Sequence, residues 1–142
     1  MAGSYKDLTA WQKGVALAWC FEDEASSYTE RVLKLLLREE AVIPPIWPFE
    51  VANALAGAMR ASRMKPADTE RFLALLGSFP LGLEPRGVDG VFKEVLPLAR
   101  ELGLSCYDAA YLELALRLGL PLVTLDRALR RAAGRVGVPL VA

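Results

Sequence analysis

Glu50, Asp108 and Asp126 each open a run of small and apolar residues that reads as a helix: "EVANALAGA", "DAAYLELAL" and "DRALRRAA". Asp126 also ends "PLVTLD", a stretch of strand character, so its carboxylate is expected at the C-terminal end of a strand. In open α/β sheets that edge is where ligand crevices form. Each acid has a purely structural explanation as well. A carboxylate in a first helical turn is stabilised by the helix dipole by about 0.3 to 1 kcal/mol, Ser105 and Asp108 have capping-box spacing, and Asp126 is a plausible N-cap. The functional alternative is that the three acids converge at one edge of a sheet. The chain has no histidine, which removes imidazole bases, His-dependent triads and His-based zinc sites. A carboxylate cluster without histidine repels itself unless a hard cation neutralises it, and oxygen-only sites suit Mg²⁺ or Mn²⁺. Such an ion can activate water and stabilise charge on a phosphodiester, so phosphodiester hydrolysis is the chemistry that fits.

The elements that must position these acids are helices separated by short strands. "EASSYTERVLKLLLREE" places Val32, Leu35 and Leu36 at helical spacing. "WPFEVANALAGAMRASR" opens a helix with Pro48 near its first position, where the missing N–H does no harm. Further helices are expected at "KPADTERFLALLGSF", from Val88 to Leu102 with a kink at Pro97, at "SCYDAAYLELALRLG" closed by Gly119, and at "DRALRRAAG" closed by Gly134. Strands near Ile43, Leu83, Val123 and Leu140 alternate with these helices, which predicts a three-layer α/β domain with a short, mainly parallel sheet. "LTAWQ" fits a short strand ending near Gln12, although Leu8, Trp11, Val15, Ala18 and Trp19 also follow helical spacing.

At 142 residues the chain is expected to form a single domain. Its 54% hydrophobic content suggests that some apolar surface is covered in an oligomer or complex. Acidic and basic residues balance at 17 each, so net charge does not announce a nucleic-acid partner. From Leu114 onward, however, five arginines face Asp126 alone. Arg127, Arg130 and Arg131 on the last helix are either a solvated face or a means of holding RNA phosphates beside the acids. Cys20 and Cys106 lack metal-site spacing and read as small buried thiols suited to a reducing cytosol. Trp11, Trp19 and Trp47, among apolar neighbours, are expected in the core or an interface. No apolar run approaches the ~20 residues of a membrane span, and no basic leader precedes the first apolar run, so a cytoplasmic protein is expected.

"PPIWPFEVANAL" and "LSCYDAAYLELALRLGLPLVTLDRAL", in this order and spacing, resemble a PIN domain, and specifically the VapC-type toxin ribonucleases of bacterial toxin and antitoxin pairs. The resemblance runs from Val15 to Val141. It implies a Mg²⁺- or Mn²⁺-dependent endoribonuclease with Glu50, Asp108 and Asp126 as metal-holding catalytic acids and Thr124 orienting the site. It also implies an RNA substrate, a small cognate antitoxin and a homodimer. The match departs at the front, where residues 1–14 are atypical. Gln12 stands where similar proteins carry a first aspartate, and Gly14 where they carry a hydroxyl. A carboxamide offers a metal one neutral oxygen, with no charge and no basicity, and Asp7 lies five residues too early to substitute. "SYKDLTAWQKG" itself is similar to the start of an unrelated small four-helix-bundle family. Two rivals therefore stand beside the ribonuclease: a catalytically impaired PIN-fold protein kept as a binding or assembly partner, and, less favoured in so short a chain, a flap-nuclease relative acting on DNA.

Overall fold

The computed structural model describes residues 8–21, 26–36 and 39–141. Asp7 and the start of the atypical segment lie outside the described residues. The segment from residue 8 resolves as strand rather than helix: β1 (Leu8–Trp11) is one of the two interior strands of a four-stranded, wholly parallel sheet. Its neighbours are β2 (Glu40–Ile43) on one side and β4 (Leu122–Val123) on the other, with β3 (Leu81–Leu83) beyond β2. Burial of Thr9, Ala10 and Trp11 in succession shows why period alone left this segment ambiguous. A strand covered on both faces does not alternate. The expected strand at Leu140 shrinks to a single parallel bridge with Leu122.

Among the described residues seven helices surround the sheet. They are α1 (Lys13–Cys20), α2 (Ser27–Leu36), α3 (Trp47–Arg60), α4 (Pro66–Gly77), α5, α6 (Cys106–Leu118) and α7 (Arg127–Val136). Helix α5 runs through Val88–Gly90, a wider π-type turn at Val91–Val95, and Leu96–Leu102. The wide turn lies just ahead of Pro97, whose ring would otherwise strike the carbonyl of Lys93 four residues back, so the kink expected at Pro97 takes the form of a local widening. Gly103 and Gly119 end α5 and α6 in the left-handed conformation. Helix α7 does not stop at Gly134 as expected. It continues to Val136 and closes at Gly137, φ 77°, where the buried Val138 sends its N–H back to the Ala133 carbonyl at 2.9 Å. The position of the next core residue thus decides which glycine ends the helix.

The core joins both faces of the sheet to α1, α3, α6 and α7 through Trp11, Val15, Trp47, Leu55, Leu112 and Leu129. Trp11 meets Trp19 edge-on at 5.5 Å, and Trp19 meets Phe79 at 5.9 Å. The tryptophans are packing residues, as expected. The cysteine expectation fails at Cys106, which is exposed in the first turn of α6, while Cys20 is half-buried. No described helix is long and apolar enough to cross a membrane.

Candidate active site

The strand order β3-β2-β1-β4 means that the chain builds the sheet outward from β1 in one direction and then returns to place β4 on its other side. The carboxyl ends of β1 and β4 flank this reversal, where crevices open in doubly wound sheets. Gln12 follows β1 there, tied to β4 by its N–H to the Val123 carbonyl at 2.9 Å. Thr124 and Asp126 follow β4. Glu50 arrives in the first turn of α3, beyond the end of β2, and Asp108 in the first turn of α6.

Local hydrogen bonds fix each group. The Asp126 Oδ2 atom caps α7 by accepting from the Leu129 N–H at 2.8 Å, and the buried Thr124 hydroxyl accepts from the Asp126 N–H at 3.0 Å. Among the described residues no donor reaches Asp126 Oδ1. The Ser105 hydroxyl accepts from the Asp108 N–H at 3.1 Å. Asp126 is an N-cap as read, whereas Ser105 caps α6 through its own hydroxyl without the return bond from Asp108 that a capping box requires.

Two residues that motif reading did not single out complete the cluster. The Lys13 Nζ atom lies 3.2 Å from Glu50 Oε2, and the buried Tyr111 hydroxyl donates to Glu50 Oε1. Both oxygens of Glu50 are thus engaged. Tyr111 stands three residues after Asp108, on the same helical face, and Lys13 adjoins Gln12. Those positions were the available signals. Burial, the bond to Glu50 and the negative charge of Glu50 and Asp108 push the Tyr111 phenol well above its ordinary range, so it stays a donor.

Burial also raises the Asp108 carboxyl above its ordinary value. Lys13 opposes the rise most strongly, Asp126 and Glu50 add to it, and Ser105 opposes it slightly. Asp108 therefore feels both other acids and the lysine, and the four groups share one electrostatic neighbourhood. The donor set is oxygen-only, and an ammonium stands among the acids as a cation would, which fits a hard divalent ion in chemical type. As arranged, no three acidic or thiol side chains among the described residues lie close enough to hold one ion together. Lys13 and Tyr111 keep Glu50 to themselves.

Gln12 is buried and does not point a free oxygen at the acids. Its Oε1 atom turns back to accept from the Gly14 N–H at 2.8 Å and caps α1. A Cβ on Gly14 would come within 2.8 Å of that oxygen, so the glycine is what admits this conformation. Of the arginines, Arg127 and Arg131 are exposed, whereas Arg130 donates to the Thr124 carbonyl at 2.9 Å and stacks over Tyr28 at 5.6 Å. Arg130 braces the loop that carries Thr124.

A parallel sheet with this order and acids at its switch-point edge defines a class, and the comparisons agree with it. The chain belongs to the PIN domain family, whose model matches residues 14–135. It is 36% identical over 81 residues to Ribonuclease VapC3 and 41% identical over 93 residues to Exonuclease VapC9, both of Pyrobaculum aerophilum. These matches take in 57% and 65% of this chain and 62% and 66% of the relatives, so the chain spans a little under two thirds of each relative. The crystal structure of PAE2754 from the same organism superposes with a TM-score of 0.68 at 29% identity, covering 91% of this chain and 87% of that one. A VapBC2 structure from Rickettsia felis bound to a promoter DNA fragment shares the fold, with a TM-score of 0.64 at 15% identity, covering 94% of this chain and 97% of that one. So does a toxin and antitoxin complex from Klebsiella pneumoniae, with a TM-score of 0.57 at 17% identity, covering 83% and 86%.

Proposed function

We propose that the chain is a VapC-like PIN nuclease, a metal-dependent endoribonuclease that acts as the toxin of a toxin and antitoxin pair. The observation that supports this reading is that Glu50, Asp108 and Asp126 each stand at a helix start near the carboxyl edge of the parallel sheet of a PIN-family chain. Glu50, Asp108 and Asp126 would hold Mg²⁺ or Mn²⁺, which supplies an activated water and charge stabilisation at a phosphodiester. Thr124 fixes the loop that presents Asp126, and Tyr111 fixes Glu50. Exposed Arg127 and Arg131 are suited to RNA phosphates, with Arg130 holding the loop behind them. Phe49, Val88, Phe92, Leu96 and Tyr107 expose apolar surface on α3, α5 and α6, which supports cover by an antitoxin or a second copy.

Incubation of the protein with RNA and MnCl₂ tests the activity. Cleavage is expected, and Asp126→Asn, which keeps the cap and removes the charge, should lower it at least ~100-fold, about 2.7 kcal/mol in the barrier. Equal cleavage by the variant would assign the activity elsewhere. The two relatives are named for ribonuclease and exonuclease action, and a circularised RNA separates these modes. An endonuclease opens the circle, and an exonuclease leaves it intact. The rival of an impaired PIN-fold binding partner is favoured by one observation, the neutral Gln12 folded onto Gly14. It predicts no cleavage by the native chain at any Mn²⁺ concentration.

A further inference from the structure

Resting on the assignment of Glu50, Asp108 and Asp126 as metal ligands, we propose that Lys13 is a built-in counter-ion that a divalent cation must displace from Glu50 in order to bind. Lys13 is the first residue of α1, where the positive end of the helix dipole disfavours a cation. Its ammonium gains nothing from the helix and is positioned by the acids. The side chains of Lys13 and Glu50 are 28% and 15% exposed, in contrast to the solvated pairs Arg71–Asp68, at 72% and 42%, and Lys93–Asp89, at 77% and 88%. A sheltered pair is screened much less by water and salt than those two.

Tyr111 holds the other Glu50 oxygen, so the carboxylate does not swing free to meet an ion while Lys13 stays in place. The same space is therefore contested by a fixed monocation and a diffusible dication. The metal-free site is held together without an ion, and metal affinity is lowered by the work of moving Lys13 out.

Calorimetric titration of the intact chain with MnCl₂ tests this. Lys13→Met, which keeps the apolar stem and loses the charge, should bind Mn²⁺ at least ~tenfold more tightly than the native chain. Lys13→Arg should stay within about threefold of native. In a Glu50→Gln background the gain from Lys13→Met should fall below about threefold, because the contested carboxylate is gone. Lys13→Gln carries the same expectation as Lys13→Met, so a folding defect in one leaves the other decisive. Unchanged or weaker Mn²⁺ affinity in the neutral variants overturns the proposal. If Mn²⁺-dependent RNA cleavage persists alongside that result, the nuclease assignment stands without it. Failure of every form to bind Mn²⁺ overturns both.

Discussion

Asp108 and Glu113 lie five residues apart on α6, yet their charges are met in opposite ways. Glu113 is the more buried, with an 8% exposed side chain, and it is gripped by Arg117 Nε at 3.0 Å and Arg86 Nη2 at 3.2 Å. Arg117 also meets Glu84 at 3.4 Å, and Arg86 also pairs with Glu94. Every acid of this network touches a guanidinium. Gly90 makes room for it, since a Cβ there would stand 2.4 Å from Arg86 Cζ. At the switch-point edge, among the described residues, the three acids have one lysine nearby, in contact with Glu50. On the proposed reading, what separates Asp108 and Asp126 from Glu113 is not burial but that, among the described residues, no cationic side chain is in salt-bridge contact with them. The network borders a cavity of about 310 Å³ lined in part by Pro44, Ile46, Val95 and Leu114, and its three acids share two guanidiniums.

The comparison can be broken first at Glu113. Glu113→Ala leaves Arg86 and Arg117 facing each other without their shared acid, and urea denaturation should show a loss of about 2 to 3 kcal/mol, just below the range of about 3 to 5 kcal/mol for a broken buried pair because both arginines are partly exposed. Mn²⁺ affinity of the folded fraction should be unchanged. A loss under about 0.5 kcal/mol would place this network among ordinary surface pairs.

Gln12→Asp sharpens the other side. It adds a fourth negative oxygen at the carboxyl end of β1, while an aspartate still suits the N-cap of α1. Mn²⁺ affinity should rise several-fold, on the order of 1 kcal/mol, and cleavage should rise with it. Gly14→Ser should help only when added to Gln12→Asp, because the longer glutamine places its oxygen where the new Cβ would go. Unchanged affinity and rate in Gln12→Asp would show that position 12 does not face the ion.

The smallest effect is expected at Asp108, and it should have the opposite sign. Its carboxyl is raised in the fold, so it binds a proton more tightly folded than unfolded, and its ionisation opposes folding. That penalty is absent below the ordinary value of 3.8 and grows as pH rises through the raised one. Asp108→Asn should therefore slightly stabilise the metal-free protein at neutral pH, with the advantage fading in acid. Thermal melts in EDTA across pH measure it, and a destabilised variant at neutral pH would show that Asp108 is compensated after all.

Much of this arrangement was legible in the chain. The helix starts at Pro48, Ser105 and Asp126 carry local signals that tertiary contacts do not overrule, and with them came the positions of Glu50, Asp108 and Asp126. Strand β1 was legible only by weighing alternatives, because burial on both faces erased its alternation. What the sequence hid was pairwise and long-range. Nothing in "QKG" says that Lys13 will meet Glu50, 37 residues away, or that Tyr111 will close on the same carboxylate. Arg130 looked like its neighbours until the Thr124 carbonyl and the Tyr28 ring claimed it, and Cys106 looked apolar among its neighbours although its helical turn faces out.

Mn²⁺ titration of three matched variants tests most directly whether the uncompensated acids hold the metal. Asp108→Asn and Asp126→Asn should each weaken binding at least ~tenfold, and Glu113→Gln, which removes a carboxylate held by arginines, should leave it within about twofold. Retention of native affinity in both edge variants, or its loss in Glu113→Gln alone, would contradict the assignment of the metal to the switch-point edge.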